Sequence, residues 1–411
     1  MILFRCAALA AALAMPFTAG AADRLSLTDA FQRAIAADPS LPAAGARVDA
    51  ALAGERQSGA SPNPSLGLEV ENFAGSGALS GFDEAETTLS YEQQIELGGK
   101  RDARVGLARR EREVAEARVT VARLNLLEQV QIAYGEALAA QAEVGLAEER
   151  LKVAQFLARE VARRIASARD PEFAGERAKS QVASAELGVE QAKLNASAAL
   201  QRLGSYWSGG GGFRLDVRTF EVTRLPDAAA DTAASADLAV LEAERSASTA
   251  RVSVERSKSV ADPTLRLGVR HFGRNDDVAV VVGGSIPLTI FDDNRGNVDR
   301  AAAEQRAADL DLASYRVGRD REILRLRSAL VIASAEVQQI DSKIIPAAER
   351  AAKLVLDGFS RGAFTYLDVI EAQGALNDER ARRIAVLRAF HASKAALDRL
   401  LGTHINIASA E

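Results

Sequence analysis

The chain has few of the side chains that support redox, thiol or soft-metal chemistry. Its 411 residues include one cysteine, two methionines, three histidines and one tryptophan. The cysteine, Cys6, and both methionines, Met1 and Met15, lie in an N-terminal segment that we expect to be removed on export. The remaining chain then has neither thiol nor thioether, which excludes disulfides, thiolate catalysis and soft-metal ligation by this chain.

A basic excess is also absent. The chain has 51 Lys and Arg residues against 56 Asp and Glu residues, which gives a net charge of −5. Because the neutralisation of phosphates needs clustered positive charge, we expect no nucleic-acid partner. Hydrophobic residues make up 48% of the chain and aromatic residues 5%. This composition argues against global disorder and favours long, closely packed, alanine-rich helices.

Motifs for catalysis and cofactor binding are missing as well. The three histidines, His271, His391 and His404, have neither another histidine nor a carboxylate pair at ligand spacing. The glycines at 209–212 lack the Lys-Ser/Thr of a phosphate loop, and no serine-nucleophile or HExxH zinc motif occurs. We therefore expect no enzyme activity, no cofactor and no metal site, with the histidines serving as surface or packing residues.

The chain has one long apolar run, which lies at the N-terminus and is shorter than a membrane span. It extends from Cys6 to Phe17, follows Arg5 and precedes small residues that end at Ala22. This pattern predicts a secretory signal peptide at residues 1–22 with cleavage near Ala21 or Ala22. A membrane anchor is the less favoured alternative, because spanning takes roughly 18 apolar residues or more. Cys6 lies inside the run, so we expect no lipid on it. The exported chain is then soluble or enters a membrane by strands.

The rest of the chain repeats itself. The segment Pro64–Phe73 resembles Pro263–Phe272, and each is followed by a second strand-like stretch and a long, charged, alanine-rich helical stretch. Both halves close with Leu-Gly, at 203–204 and at 401–402. We interpret this pattern as a tandem duplication of a helix, β-hairpin, long helix and return helix.

The predicted boundaries follow from the repeat. By residue number, the signal peptide occupies 1–22, a linker 205–235 and a C-terminal tail 403–411. The first repeat covers 23–204, with a hairpin at 64–97, a long helix at about 98–169 and a return helix at about 172–204. The second repeat covers 236–402, with a hairpin at 263–291, a long helix at about 294–345 and a helix after the turn at 363–402. The linker contains the glycine run and a short strand-like stretch from Phe213 to Phe220.

The long helices carry apolar heptads. The apolar positions step by four and three residues. In the first half they are Leu126, Val130, Ala133, Ala137, Ala140, Val144, Ala147, Leu151, Ala154, Ala158, Val161, Ile165 and Ala168, and in the second half they are Ile323, Leu326, Leu330, Ala333, Val337, Ile340 and Ile344. Such spacing predicts coiled-coil packing, and alanine at many of the positions lets helices approach closely. A helix from about Arg101 to Ala168 would reach on the order of 100 Å. A merely structural coiled coil stays open as an alternative at this point.

The strand-like segments alternate between apolar and charged residues. Leu66, Leu68 and Val70 share one face of their strand, and Glu69 and Glu71 share the other. Strands of about ten residues with this pattern fit a membrane barrel with a wet lumen, and a soluble sheet with one buried face is the alternative. Four strands are too few to close a barrel, since the smallest membrane barrels have about eight. A barrel would therefore need strands from several copies.

Several segments resemble one known family. They are Leu25–Phe31 with Asp38-Pro39, Ile95–Arg101 (IELGGKR), Ile286–Asn297 (IPLTIFDDNRGN) and Gly362–Gln373 (GAFTYLDVIEAQ). These segments occur in order and resemble the TolC family of outer-membrane efflux proteins, most closely the CzcC-type outer-membrane subunit of heavy-metal tripartite exporters. The resemblance covers nearly the whole chain after the signal peptide.

The resemblance implies a fold, partners and a function. It implies an α+β membrane protein that forms a homotrimer, with a 12-stranded outer-membrane barrel continued by a periplasmic coiled-coil tunnel. The tunnel would dock a periplasmic adaptor and a proton-driven inner-membrane RND pump, and the barrel would contact outer-membrane lipids. The chain would be a passive duct for divalent heavy-metal cations. A general multidrug or type I secretion duct is the alternative, and a periplasmic coiled-coil adaptor or scaffold is less favoured.

The resemblance also indicates a periplasmic gate in the second repeat. Gly358 to Gly362 suit a tight turn between helices. Beyond this turn, Asp368 and Glu371 lie three residues apart and share one helical face. The resemblance places these acids where the tunnel narrows, so that three copies would stack two carboxylate rings. An acidic first turn of a solvated helix is the alternative. We expect Phe359 and Phe364 to add an apolar constriction.

Two further groups of residues belong to this set of predictions. The first-repeat turn, with Asp170 and Glu172, lacks a glycine equivalent to Gly362, so its closing contacts are expected to differ. At the strand-to-helix junctions, Gly98 and Gly99 supply backbone freedom, and three side chains are N-cap candidates, namely Asp292, Asp293 and Asn294. We expect Lys100 and Arg101 to form a salt bridge between copies or a plain solvated surface rather than to bind lipid phosphates at the inner rim of the barrel.

Overall fold

The computed structural model describes residues 24–226 and 235–408. The predicted signal peptide lies outside the described residues. The chain forms two compact units, and each is described by itself. The sheet unit consists of the described parts of Ala34–Ile132, Thr223–Gln339 and Ala389–Glu411. The helical-hairpin unit consists of the described parts of Met1–Arg33, Ala133–Val222 and Ile340–Arg388.

The sheet unit contains one antiparallel sheet of four strands. Helix α2 (Ser40–Ser58) leads into strands β2 (Ser65–Glu71) and β3 (Glu86–Gln94), and helix α5 (Ala236–Lys258) leads into strands β5 (Thr264–Phe272) and β6 (Asp277–Ser285). The strand order is β2-β3-β5-β6, so the two hairpins of the duplicated sequence lie side by side. The register aligns Leu68, Leu89, Val269 and Val280 across the sheet.

The long helices follow the hairpins. Helix α3 (Lys100–Ala166) has 67 residues, and helix α6 (Arg295–Gln339) has 45. A π-helical turn (Ile340–Ile344) joins α6 to helix α7 (Ile345–Arg361). Among residues 24–226 and 235–408, no helix combines the length and the apolar character that crossing a membrane requires.

The remaining elements are shorter or return along the long helices. Strand β1 (Arg24–Leu25) pairs in parallel with strand β4 (Arg214–Leu215), and helix α1 (Leu27–Ala37) follows β1. The return helices are α4 (Glu172–Gly204) and α8 (Tyr366–Leu401), and a short helix α9 (Ile405–Ala408) lies in the C-terminal tail.

Some element ends differ from the sequence-based boundaries. The second hairpin ends at Ser285 rather than 291, because Pro287 has no N–H to donate to a sheet. The second long helix extends past 345 to Arg361, because Pro346 lies in the first turn of α7, where a missing N–H costs nothing. The predicted strand-like linker segment contains only the two residues of β4, followed by a 3₁₀ helix at Val217–Glu221.

The heptad positions are buried in large part. In the second repeat, six of the seven predicted positions are buried, and Ile344 is half-buried. In the first repeat, the predicted positions are buried from Leu126 to Ala140, but farther along Leu146 and Leu157 are buried instead of Ala147 and Ala154. A straight helix drifts relative to a strict seven-residue repeat, so the larger leucines take over the core.

Candidate functional site

The turn after α7 is closed by a glycine in the left-handed conformation. Gly362 has φ +86°. Its N–H donates to the Phe359 carbonyl at 3.0 Å, and the Ala363 N–H donates to the Gly358 carbonyl at 2.9 Å. This is the Schellman arrangement that ends many helices. Gly358 itself is a buried residue of α7, where a Cβ would lie 2.3 Å from the Phe364 ring. Gly362 therefore allows the tight turn, whereas Gly358 leaves room for the aromatic ring of Phe364.

Asp368 belongs to a capping box at the start of α8. Its Oδ2 accepts hydrogen bonds of 2.7 Å from both the N–H and the hydroxyl of Thr365, and its own N–H donates to the Thr365 Oγ1 at 3.3 Å. Hydrogen bonding from the Thr365 side chain and backbone lowers the pKa of Asp368. Glu371 is exposed one turn farther along. The structure thus fixes the direction of one carboxylate and leaves the other at the surface.

The first-repeat turn is held by an arginine that the sequence did not single out. The guanidinium of Arg164 binds Asp170 through Nε–Oδ2 and Nη2–Oδ1 distances of 2.8 and 3.0 Å. Its Nη1 also donates to the Phe359 carbonyl at 2.5 Å. Only 15% of each charged side chain is exposed. Basic residues are common at helix ends, so nothing in the sequence distinguished Arg164 from Arg163.

The backbone of this first turn adopts the conformation that Gly362 adopts in the second. Ala168 has φ +53°, which is unusual for a residue with a Cβ. The predicted heptad position at Ala168 is wrong, because α3 ends at Ala166. Pro171 is the N-cap of α4, and Glu172 is an exposed residue of its first turn.

A hydrophobic cluster packs beneath the two turns. Its buried members are Leu157, Val161, Ala174, Ala178, Phe359 and Val369. Phe359 is 1% exposed, so its ring fills this core and does not form the surface constriction that we expected. Phe364 is 43% exposed and remains accessible. Ala174, which is the third residue of α4 as Asp368 is of α8, is a buried member of this cluster.

The junction between β3 and α3 is built on two glycines. Gly98 and Gly99 have φ values of +68° and +71°, and a Cβ on Gly98 would lie 2.7 Å from the Val260 side chain. Lys100 forms an ion pair of 2.6 Å with Asp262 of the same chain, rather than the solvated surface or the salt bridge between copies that we expected, and Asp262 also accepts a hydrogen bond from the Leu97 N–H. Sequence reasoning missed Asp262, because the partners lie in different repeats.

The junction before α6 uses its polar residues in three ways. The Oδ1 of Asp292 accepts from the Asn294 N–H at 2.9 Å, and the Oδ1 of Asp293 accepts from the Arg295 N–H at 3.1 Å. Asn294 has φ +62°, and its side-chain amide donates to the Glu255 carbonyl at 2.7 Å. Asp293 is therefore the candidate whose side chain caps the first N–H of α6, and Asn294 forms the bend before the helix.

The sheet exposes its apolar face. Leu66, Leu68, Val280 and Val282 are 70–77% exposed, whereas Thr88 on the opposite face is 3% exposed. A sheet of a soluble protein normally buries its apolar face. The reverse arrangement suits an apolar surrounding such as lipid.

Ion pairs cover the polar face of the same sheet. Arg270 donates to Glu86 and Glu71 at 2.8 and 3.0 Å, and Arg266 lies 2.5 Å from Glu92. Within the described ranges, no group of three or more His, Cys, Asp or Glu side chains is arranged to hold a metal ion.

Comparisons with known proteins identify a family and several relatives of this chain. The profile of the family described as outer membrane efflux protein matches residues 30–209 and 231–403. The cobalt-zinc-cadmium resistance protein CzcC of Cupriavidus metallidurans is 31% identical over 392 residues, which cover 94% of this chain and 92% of that protein. The nickel and cobalt resistance protein CnrC of the same organism is 29% identical over 318 residues, which cover 77% and 75% of the two chains.

Solved structures share the fold. The outer membrane protein VceC of Vibrio cholerae superposes with a TM-score of 0.74 at 22% identity, covering 92% of this chain and 96% of that one. The open state of the MtrE outer membrane channel of Neisseria gonorrhoeae gives a TM-score of 0.67 at 16% identity, covering 92% and 88%. At these identities the likeness concerns the fold alone.

Proposed function

Since the chain belongs to the outer membrane efflux protein family, we propose that it is the outer-membrane duct of a tripartite efflux system and passively conducts divalent heavy-metal cations out of the cell. The observation that carries the duct is the sheet with an exposed apolar face and an ion-paired polar face. The similarity to CzcC and CnrC supports the metal cargo.

The membrane-embedded part is a barrel of twelve strands, four from each of three copies. Each copy contributes β2, β3, β5 and β6, with the apolar face toward lipid and the face of Arg266 and Arg270 toward the lumen. A four-stranded sheet has two free edges, and closure of a ring removes both. The protein is located in the outer membrane of a Gram-negative bacterium. It is exported with a signal peptide that is then cleaved, and it carries no lipid.

The periplasmic end narrows at the two helical turns. Threefold symmetry stacks the carboxylates of Asp368 and Glu371 into two rings, which attract cations and repel anions. Each Asp368 carboxylate already has a fixed direction, because it binds Thr365. Asp170 and Glu172 lie at the first-repeat turn, where Arg164 neutralises Asp170 and leaves Glu172 as the exposed acid.

The duct works with two partners. A periplasmic adaptor docks on the helical end, and an inner-membrane, proton-driven RND pump loads the cargo. Selectivity for the metal then resides in the pump, because passage through the duct uses charge rings rather than a tight coordination site.

Deletion of the gene tests this function. Cells that lack the duct should become sensitive to a divalent metal such as cobalt, zinc or cadmium, and the intact gene should restore tolerance. The matched control is an Asp378→Asn gene, altered at an exposed acid of α8 away from the turn. Unchanged metal tolerance with a new sensitivity to dyes or antibiotics would indicate a general multidrug duct. Fractionation away from outer-membrane barrels would indicate a periplasmic adaptor or scaffold.

A further inference from the structure

One guanidinium on the polar face of the sheet lies between two carboxylates. Arg270 of β5 donates from Nη1 to Glu86 Oε2 at 2.8 Å and from Nη2 to Glu71 Oε2 at 3.0 Å. Its Nε donates to the hydroxyl of Thr88 at 2.9 Å. The three partners belong to strands β2 and β3 of the same chain, so one side chain of β5 is bound to two other strands.

The two carboxylates form a like-charged pair across the strands. The register places Glu71 directly opposite Glu86. Side chains in such a pair have Cβ atoms about 4.5–5.5 Å apart, and like charges there destabilise a sheet. Divalent cations take carboxylate oxygens as ligands, so two facing carboxylates can share one such ion. The guanidinium of Arg270 thus occupies the position of a cation between the two acids.

A second arginine of β5 repeats this arrangement. The Nη2 of Arg266 lies 2.5 Å from Glu92 Oε1, and its Nη1 lies 3.9 Å from Glu69 Oε2. Arg266 and Arg270 are separated by about 13 Å along the strand, so the two groups are distinct. Each group has two acids and one arginine, which leaves one net negative charge. The polar face therefore attracts cations at two levels, and at each level a guanidinium is already bound to the acids.

We propose that Arg270 is a tethered counter-ion that determines how divalent cations pass the barrel, because it occupies the carboxylate pair of Glu71 and Glu86 that would otherwise retain the cargo. This inference rests on the proposed duct and assigns a role in conduction to one residue of its lumen. Conduction requires that an ion binds strongly enough to enter and weakly enough to leave. The net negative charge meets the first requirement, and the guanidinium meets the second by keeping the passing ion from binding both carboxylates.

The geometry holds this counter-ion in place. A planar guanidinium can reach both carboxylates and the Thr88 hydroxyl at once, which the single ammonium of a lysine cannot do. The Arg270 side chain is 29% exposed, against 77% for Arg274 in the turn that follows β5. Thr88 is 3% exposed, so the third acceptor is fixed as well. A passing ion would have to break three hydrogen bonds to displace Arg270.

Single-channel recording in cobalt(II) chloride tests the role of Arg270. All recordings use the background of Asp368→Asn with Glu371→Gln, which lacks the acids of the proposed entrance rings. In this background, Arg270→Gln should lower the Co²⁺ concentration for half-block by at least about tenfold, because the carboxylate pair becomes free to hold the ion. Further replacement by Glu71→Gln with Glu86→Gln should restore the original value.

Two other variants and a binding measurement complete the test. Arg274→Gln removes the exposed arginine, whose Nε lies 3.6 Å from Glu84 Oε1, and should leave the block unchanged. Arg270→Lys keeps the positive charge that the sheet needs and should lower the half-block concentration by a smaller factor than Arg270→Gln. Equilibrium dialysis of the purified proteins against cobalt(II) chloride measures binding without conduction. It should show about one additional Co²⁺ per chain for Arg270→Gln.

The outcomes separate this role from the proposed function. Unchanged block in both Arg270 variants, or an equal change in Arg274→Gln, overturns the role of Arg270 and leaves the duct standing. Additional Co²⁺ that remains bound after the loss of both Glu71 and Glu86 overturns the carboxylate pair as its site. An absence of single-channel currents in every protein, the unmodified one included, overturns the duct, and the dialysis then decides whether the pair holds a cation.

Discussion

The guanidinium carbon of Arg164 lies 4.5 Å from the centre of the Phe359 ring. The same guanidinium holds Asp170 with two hydrogen bonds and donates to the carbonyl of Phe359. One side chain therefore ties the last turn of α3 to the end of α7, above a buried cluster. Cation–π contacts and charged hydrogen bonds of this kind contribute about 1–3 kcal/mol each at partly buried sites.

Replacement of Arg164 by alanine should loosen the helical-hairpin unit. We expect Arg164→Ala to lower the free energy of unfolding by about 2 kcal/mol, since it removes the hydrogen bonds and leaves Asp170 unpaired. Thermal denaturation in detergent, followed by circular dichroism, measures the effect. Arg163→Ala is the matched control, because Arg163 is 71% exposed and its pair with Glu160 should contribute less than about 1 kcal/mol. Equal losses for the two variants would show that Arg164 has no special role.

Neutralisation of the two acids at the start of α8 should alter conduction. We expect Asp368→Asn with Glu371→Gln to weaken cation selectivity and block by multivalent cations, because the charge of both proposed rings is lost. Single-channel recording of the purified protein measures both properties. Thr365→Ala is the control, since it removes the capping hydroxyl and keeps both carboxylates. Unchanged selectivity and block in the double variant would mean that these acids do not line the entrance.

Replacement of Ala168, which has a left-handed backbone conformation in the first-repeat turn, should stabilise the protein. Ala168→Gly should raise the free energy of unfolding by about 0.5 kcal/mol, because the relief of left-handed strain, about 1–2 kcal/mol, outweighs the extra freedom of glycine in the unfolded chain. The converse variant, Gly362→Ala, should lower it by about 1 kcal/mol. Apparent melting temperatures in one detergent compare the pair. A stabilising Gly362→Ala would refute the assigned turn conformation.

A buried carboxylate in the sheet unit should make stability depend on acid. Burial raises the pKa of Asp398, but hydrogen bonds and charge from His404, Lys394 and Gln131 outweigh burial and hold the pKa below its ordinary value. A lowered pKa means that the stabilisation is present above the ordinary value of 3.8 and is lost as the pH falls through the folded value.

The variant Asp398→Asn isolates this contribution. It should cost about 2–3 kcal/mol at neutral pH, because Lys394 loses a partner that is 2% exposed. The difference from the unmodified protein should shrink as the pH falls below about 4. Asp378→Asn, at an exposed site, should change stability by less than about 0.5 kcal/mol at every pH. A constant difference between Asp398→Asn and the unmodified protein down to low pH would exclude the titration of Asp398 as its cause.

The sequence by itself determined the duplication, the order of elements and the side of each strand that is apolar. These features depend on local periodicity, which survives in the linear chain as steps of two residues in strands and of three or four in helices. The burial of Leu326, Leu330 and Val337 is one example, since their spacing alone placed them in a helical core. The resemblance to the efflux family likewise needed only short segments in order, and the family comparison confirms it.

Only the tertiary structure decided which side chains meet across the repeats. Arg164 reaches Phe359 over 195 residues, and Lys100 reaches Asp262 over 162, so no local pattern announces either pair. In the structure, Phe359 lies in the core rather than at the expected constriction, and Asp368 belongs to a capping box. A periodicity identifies the face on which a residue lies, but its contacts depend on the residues that other segments bring to that face, and their positions are set by the folded chain as a whole.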